Sequence, residues 1–283
     1  MTAVVSVRGL RKSYGELEAL KGVDFELRTG EVFGLLGPNG AGKTTTVEIL
    51  EGYRPRDAGE VEVLGADPSR AGLDWRSRIG VVLQSSAMYE NLTVAESLDQ
   101  FAGYYPRPRP TEEVIGLIGL DEKRDERVRR LSGGQRRRLD LGLALVGDPE
   151  LIFLDEPTTG FDPGARRRAW DTIRSLSSLG KTILLTTHYL DEVEQLADRV
   201  AVLREGRIVA SGTPQELTQA TPATEIRYRE DGREVVLRTE EPTRVLHELT
   251  SRALAAGDEV QGLEVRRPTL EEVYLSLTQE EAG

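Results

Sequence analysis

Short apolar runs alternate with longer stretches of mixed polarity along most of the chain. VFGLL (32–36), IGVVL (79–83), LIFL (151–154) and TILLTT (182–187) lack a charged residue at every second position. A strand with one wet face would alternate, so these runs predict strands covered on both faces. Between them lie helix-like stretches: TTTVEILEGY (44–53), RRRLDLGLALVG (136–147), RRRAWDTIRSLSSLG (166–180) and LDEVEQLADRV (190–200). TVAESLDQFAGYY (93–105) and TEEVIGLIGL (111–120) read as two helices, because the YPRPRP run between them breaks any continuous one. Strands alternating with helices predict an α/β core with a largely parallel sheet.

Both ends depart from that rhythm. VVSV (4–7), VDFEL (23–27) and VEVLG (61–65) are β-rich runs separated by turns, and VAVLREGRIVASG (200–212) reads as a hairpin. After Thr213-Pro214 the texture changes to short strands, EIRYR, EVVLR and LEVRR, with helices at TRVLHELTSRALAAG and TLEEVYLSLT. The expected domains are a large unit over 1–220 and a small α+β appendix over 221–283.

Composition narrows the classes. With 283 residues, 38% apolar and 30% charged, the chain is long enough for a full core and well solvated. No apolar run approaches the ~20 residues that cross a bilayer. The start, MTAVVSVRGLRKSYG, has no signal-peptide pattern, and there is no cysteine, so a cytoplasmic location is the expectation. A net charge of −11 argues against a nucleic-acid partner, and the basic runs at 136–138 and 166–168 read as solvated helix faces.

The chemistry begins at GPNGAGKTTT. Gly37, Pro38, Asn39, Gly40, Ala41, Gly42, Lys43 and Thr44 fit G-x-x-x-x-G-K-S/T between a strand and a helix. Glycines let the backbone curl so that N–H groups point inward, and the following helix adds its unpaired N–H groups and positive dipole end. The product is a cradle for the phosphates of a nucleotide such as ATP, with Lys43 on the outer phosphates and the Thr44 hydroxyl on Mg²⁺. LIFLDEP agrees. Asp155 ends a buried strand where it would bind Mg²⁺, and Glu156 follows where it would polarise water against the γ-phosphate. Leu131-Ser132-Gly133-Gly134-Gln135 is a second glycine turn before a helix. Alone it is equally an ordinary helix cap or a second anion site. One triphosphate does not need two cradles from one chain, so an economical reading is that two copies meet head to tail.

GPNGAGKT, LSGGQ and LIFLDEP, in that order, resemble the nucleotide-binding subunits of ABC transporters over residues ~1–220. The resemblance implies a P-loop NTPase with a RecA-like core, an antiparallel β subdomain and a helical subdomain at about 85–150. It also implies ATP and Mg²⁺ as cofactors and a second ATPase subunit as partner. Tyr14 is similar to the aromatic that stacks on adenine, Thr45 follows Thr44 in the nucleotide loop, and Gln84 matches the residue that senses Mg²⁺ and the attacking water. Asp162 matches an acid linking the two sites across a dimer and also fits a cap for the helix after Pro163. His188 matches the switch on the γ-phosphate. Phe161 stands where leucine is commoner.

The tail VRRPTLEEVYLSLT and the run MYENLTVAESL are similar to the daunorubicin-resistance type of exporter ATPase. That type implies export of a drug, lipid or other amphipathic compound that the chain itself does not bind. The pathway then belongs to a separate multi-span permease, which would hold this chain on the inner face of the membrane. Met88, Tyr89 and Leu92 are the expected exposed docking residues near Gln84. A soluble ABC ATPase acting on nucleic acid or ribosomes is the alternative. Against it stand a single ATPase unit and a span of under a hundred residues from the phosphate loop to LSGGQ, without heptads or cysteines. A GTPase would need N-K-x-D, which is missing.

Overall fold

The computed structural model describes residues 3–82, 89–220, 224–230, 232–266 and 269–279. Two compact units divide it, Met1–Ser211 and Gly212–Gly283.

In the first unit, β1 (Ala3–Tyr14), β2 (Leu17–Arg28) and β4 (Ala58–Val63) form an antiparallel sheet in the order β2-β1-β4. A second sheet has six strands: β3 (Val32–Leu36), β5 (Ile79–Val82), β6 (Leu151–Asp155), β7 (Thr182–Thr187), β8 (Arg199–Arg204) and β9 (Arg207–Gly212). Its order is β5-β6-β7-β3-β8-β9, and the β5–β6, β6–β7, β3–β7 and β3–β8 pairs are parallel. Every residue of β3, β6 and β7 is buried, as continuous apolar runs require of central strands.

Alternation along these strands feeds two cores. Phe33, Leu35, Phe153 and Leu184 face the antiparallel sheet and α1 (Lys43–Leu50), joining Val7, Leu10, Phe25, Val47 and Leu50. Val32, Ile152, Leu154, Ile183 and Leu185 face the helices on the other side. Those helices include α3 (Val94–Ala102), α4 (Thr111–Leu117), α5 (Gly133–Leu145), α6 (Pro163–Ser178) and α7 (Leu190–Leu196). A short α2 (Leu73–Arg76) tucks Trp75 into the first core, where its indole N–H donates to the Val63 carbonyl.

Three sequence expectations shift. The helix expected over 190–200 stops at Leu196, because Asp198 pairs with the start of β3. Val32 N–H donates to the Asp198 carboxylate and Asp198 N–H to the Val32 carbonyl, both at 2.8 Å. The helix expected from Arg136 starts at Gly133, since Ser132 caps it. Leu92 is half-buried rather than exposed, its carbonyl accepting from Val128 N–H, whereas Tyr89 is 58% exposed.

The second unit begins with α8 (Pro214–Ala220) and ends with α10 (Leu270–Gln279), which packs against it. That packing puts the boundary at Ser211–Gly212, against 220–221 from the sequence. Between them β10 (Thr224–Glu230), β11 (Arg233–Thr239) and β12 (Gln261–Arg266) form a sheet in the order β11-β10-β12, with α9 (Pro242–Ala255) against it.

Candidate nucleotide site

The phosphate loop leaves β3 and enters α1. Gly37 has no room for a side chain, because a Cβ would lie 2.3 Å from the Leu203 carbonyl oxygen. Gly42 combines a left-handed φ of 108° with a Cβ position 2.7 Å from Leu20 Cδ2, so only glycine fits. Gly42 also N-caps α1 without a side-chain bond, which leaves the first N–H groups of the helix for an anion. Lys43 is buried, its ammonium donating to the carbonyls of Gly37 at 2.8 Å and Pro38 at 3.2 Å. The same nitrogen is 3.4 Å from Glu156 Oε1.

The ends of β6 and β7 complete one wall. The Thr44 hydroxyl donates to Asp155 Oδ2 at 3.4 Å, and the Thr186 hydroxyl donates to Asp155 Oδ1. Glu156 turns out of the strand with φ 46°, a conformation unfavourable for a residue with a side chain. Its N–H is held by Thr186, at 3.0 Å to the hydroxyl and 3.1 Å to the carbonyl. Glu156 Oε1 lies 3.3 Å from His188 Nδ1, and Oε2 accepts from the Thr159 hydroxyl at 3.1 Å. Burial pushes the Glu156 carboxyl up, but the His188 contact and the Lys43 charge outweigh it and hold the group below its usual range. A carboxyl held below its usual range favours the charged form that a proton acceptor would need.

Thr44 and Asp155 bring two hard oxygen ligands together. Among the described residues no group of three or more His, Cys, Asp or Glu is placed to hold a metal. The pair fits Mg²⁺, which takes one or two protein oxygens and completes its shell with phosphate and water. Gln84 lies outside the described residues, as does Met88. Sequence reasoning missed Glu51, at the C-cap of α1, whose carboxyl burial and then the Asp155 and Glu48 charges push up to about 8. Its signal was position alone, in the last turn of the helix expected after the phosphate loop. Thr186 was missed because threonine suits a buried strand equally well.

Ser132 and Gln135 form a reciprocal cap on α5. The Ser132 hydroxyl accepts from Gln135 N–H at 3.3 Å, and Gln135 Oε1 accepts from Ser132 N–H at 2.8 Å. Gly133 has open space where a Cβ would lie. Ser132, Gly133 and Gly134 line a cavity of about 600 Å³ with Glu156, Gly160 and Asp162. No residue from Gly37 to Thr44 lines it. Asp162 caps α6, accepting from Ala165 N–H at 2.8 Å, and these backbone bonds hold its carboxyl below the usual range.

Tyr14 ends β1 with 39% of its surface exposed. Its hydroxyl is 3.5 Å from Thr45 Oγ1, and the Arg54 guanidinium lies 5.2 Å from its ring centroid. The Tyr14 hydroxyl is thereby placed beside Thr45 in the first turn of α1.

A buried strand opening into a glycine loop, a strand-end Asp-Glu pair and a histidine just past the next strand define a P-loop nucleoside triphosphatase. A family model described as ABC transporter matches residues 20–159. Daunorubicin resistance ATP-binding protein DrrA3 of Streptomyces coeruleorubidus is 39% identical over 302 residues, 97% of this chain and 95% of its own. Nod factor export ATP-binding protein I of Ralstonia nicotianae is 46% identical over 221 residues, 76% of this chain and 69% of its own. Among solved structures, cbiO1 from Clostridium perfringens, part of the ABC transporter complex cbiONQ, superposes with a TM-score of 0.70 at 29% identity. It covers 77% of this chain and 92% of its own. The chain belongs to the ABC transporter family, as an ATP-binding subunit of the daunorubicin-resistance type. It is an ATPase coupled to transmembrane transport.

Proposed function

We propose that two copies of this chain close head to tail around two Mg-ATP and drive export of an amphipathic compound through a separate permease. The observation that carries the dimer is the separation of the two glycine turns. The Ser132–Gly134 turn opens on a cavity whose lining contains none of the Gly37–Thr44 loop. That separation supports a reading in which a phosphate held by one chain's loop is enclosed by the other chain's Ser132 turn. Export and an amphipathic cargo rest on likeness to the daunorubicin-resistance and Nod factor export proteins. Among the described residues no helix is long and apolar enough to cross a membrane, so the pathway is assigned to a partner and the chain to the inner membrane face. Exposed Tyr89, beside the segment that carries Gln84, is assigned to that partner's docking surface.

Each residue then has a task. The loop amides and Lys43 hold the β- and γ-phosphates, and Tyr14 stacks on the base. Thr44 and Asp155, with Gln84, hold Mg²⁺, which when bound screens the phosphate charge during transfer. Glu156 takes the proton of the attacking water, and His188 fixes the γ-phosphate end of the site. Ser132, Gly133 and Gly134 enclose the partner's triphosphate, and Asp162 joins one site to the other.

Ser132→Arg tests this. The variant is expected to bind ATP as a single chain with parental affinity and to lose hydrolysis. A Ser132→Arg protein that hydrolyses ATP at the parental rate contradicts the enclosure.

A further inference from the structure

Four side chains form a chain of contacts that runs from α6 to Glu156. The Arg166 guanidinium lies over the Tyr189 ring, 4.4 Å from its centroid. The Tyr189 ring meets the His188 ring at 4.0 Å between centroids, tilted by 41°. His188 Nδ1 in turn contacts Glu156 Oε1 at 3.3 Å. The far end is anchored, since Arg166 Nη1 donates to Asp191 Oδ2 at 3.1 Å. Its Nε is buried without a hydrogen-bond partner among the described residues. A buried donor left unmade is costly and calls for a reason. Here the guanidinium is placed to cover a ring rather than to satisfy that nitrogen, as a cation over an aromatic face allows.

The far end of these contacts belongs to α6. Arg166 N–H donates to the Asp162 carbonyl at 3.0 Å, so Arg166 sits in the first turn of the helix that Asp162 caps. We infer that Arg166 and Tyr189 are positioning residues, a stacked relay that sets His188 against Glu156 and ties that placement to the helix starting at Asp162. The inference rests on the proposed roles of His188 and Glu156. Any tilt of α6, where the site meets its neighbour, carries Arg166 with it. Tyr189 then moves His188 relative to the carboxylate.

The relay is tested on the full chain by steady-state ATP hydrolysis, ATP binding and thermal unfolding. Arg166→Ala and Tyr189→Leu are each expected to lower kcat about tenfold or more, the scale of a displaced catalytic group, with KM for ATP and melting temperature unchanged. Tyr189→Phe, which keeps the ring, is expected to restore most of the rate. The double variant is expected to be no slower than the slower single one, because both remove the same chain of contacts. A parental kcat in Tyr189→Leu overturns the relay. So does a fall in kcat matched by a fall in melting temperature in both single variants. His188→Ala separates the two levels of the argument. If it hydrolyses at the parental rate, the proposed switch role fails and the relay with it. If it is inactive while Tyr189→Leu is not, only the relay fails.

Discussion

Glu192 is a carboxyl group that the fold takes wholly out of water. It lies on α7 just past His188. Its Oε1 accepts from the Thr158 hydroxyl at 2.9 Å and the Trp170 indole N–H at 3.2 Å, and the Thr187 hydroxyl also favours the charged form. Burial dominates these bonds and raises its pKa. Between the ordinary carboxylate range and that raised value, the native state holds more protons than the unfolded chain. The contribution of Glu192 to stability is therefore full in acid and is lost as pH climbs through the raised pKa. Glu192→Gln removes the titration and is expected to gain on the parent as pH rises, read from urea midpoints at about pH 5 and about pH 8. Parallel curves would contradict the assignment. Glu192→Ala is expected to cost about 1–3 kcal/mol, since it strands the Thr158 and Trp170 donors. Periodicity places Glu192 on a helix but gives no sign that this acid points inward. Nothing in LDEVEQLADRV separates it from exposed Glu194.

Among elements, α5 joins the helical part to the strand ends through Arg137. Arg137, one turn beyond the Ser132 cap, is largely buried. Its Nη2 donates to the Asp155 carbonyl and its Nε to the Pro157 carbonyl, each at 3.2 Å. Burial lowers its pKa from the usual arginine range, and the Asp140, Asp155 and Glu192 charges offset only part of that. The guanidinium fork ties the turn that faces outward to the turn that carries Glu156. Arg137→Met keeps the packed stem and loses the donors. It is expected to cost about 1–3 kcal/mol of stability, and Arg137→Lys is not expected to restore it, because an ammonium lacks the fork geometry. Thermal unfolding of both variants checks this, and a lysine variant as stable as the parent would contradict it. The sequence reading takes RRR at 136–138 as a solvated face. In the structure Arg137 turns in, and Arg138 donates to the Ile118 and Gly119 carbonyls. An arginine on a helix can snorkel to solvent or bury its stem, and only tertiary partners decide.

At the scale of the whole molecule, charge works against pairing. Each chain carries −11, so in the proposed dimer two copies would repel unless nucleotide, metal and the Ser132 turns bridged them. Raising salt from about 0.05 M to about 0.3 M is expected to strengthen the nucleotide-bound dimer by screening that repulsion, measured by sedimentation. A dimer that weakens steeply with salt would show attraction instead. The central strands and the phosphate loop were legible in the sequence because both are dictated locally. VFGLL, LIFL and TILLTT are too apolar for any exposed strand, and Gly37 and Gly42 sit where a Cβ has no room. The His188–Tyr189–Arg166 chain of contacts was not legible, since it joins an α6 residue to the end of β7 across more than twenty positions. The measurement closest to the central claim is the mass of Glu156→Gln in Mg-ATP by light scattering. Loss of the general base is expected to slow turnover by about 10²–10⁴-fold and leave ATP bound, so the account predicts the mass of two chains, falling to one when ATP is withdrawn. A single-chain mass with ATP demonstrably bound would contradict it.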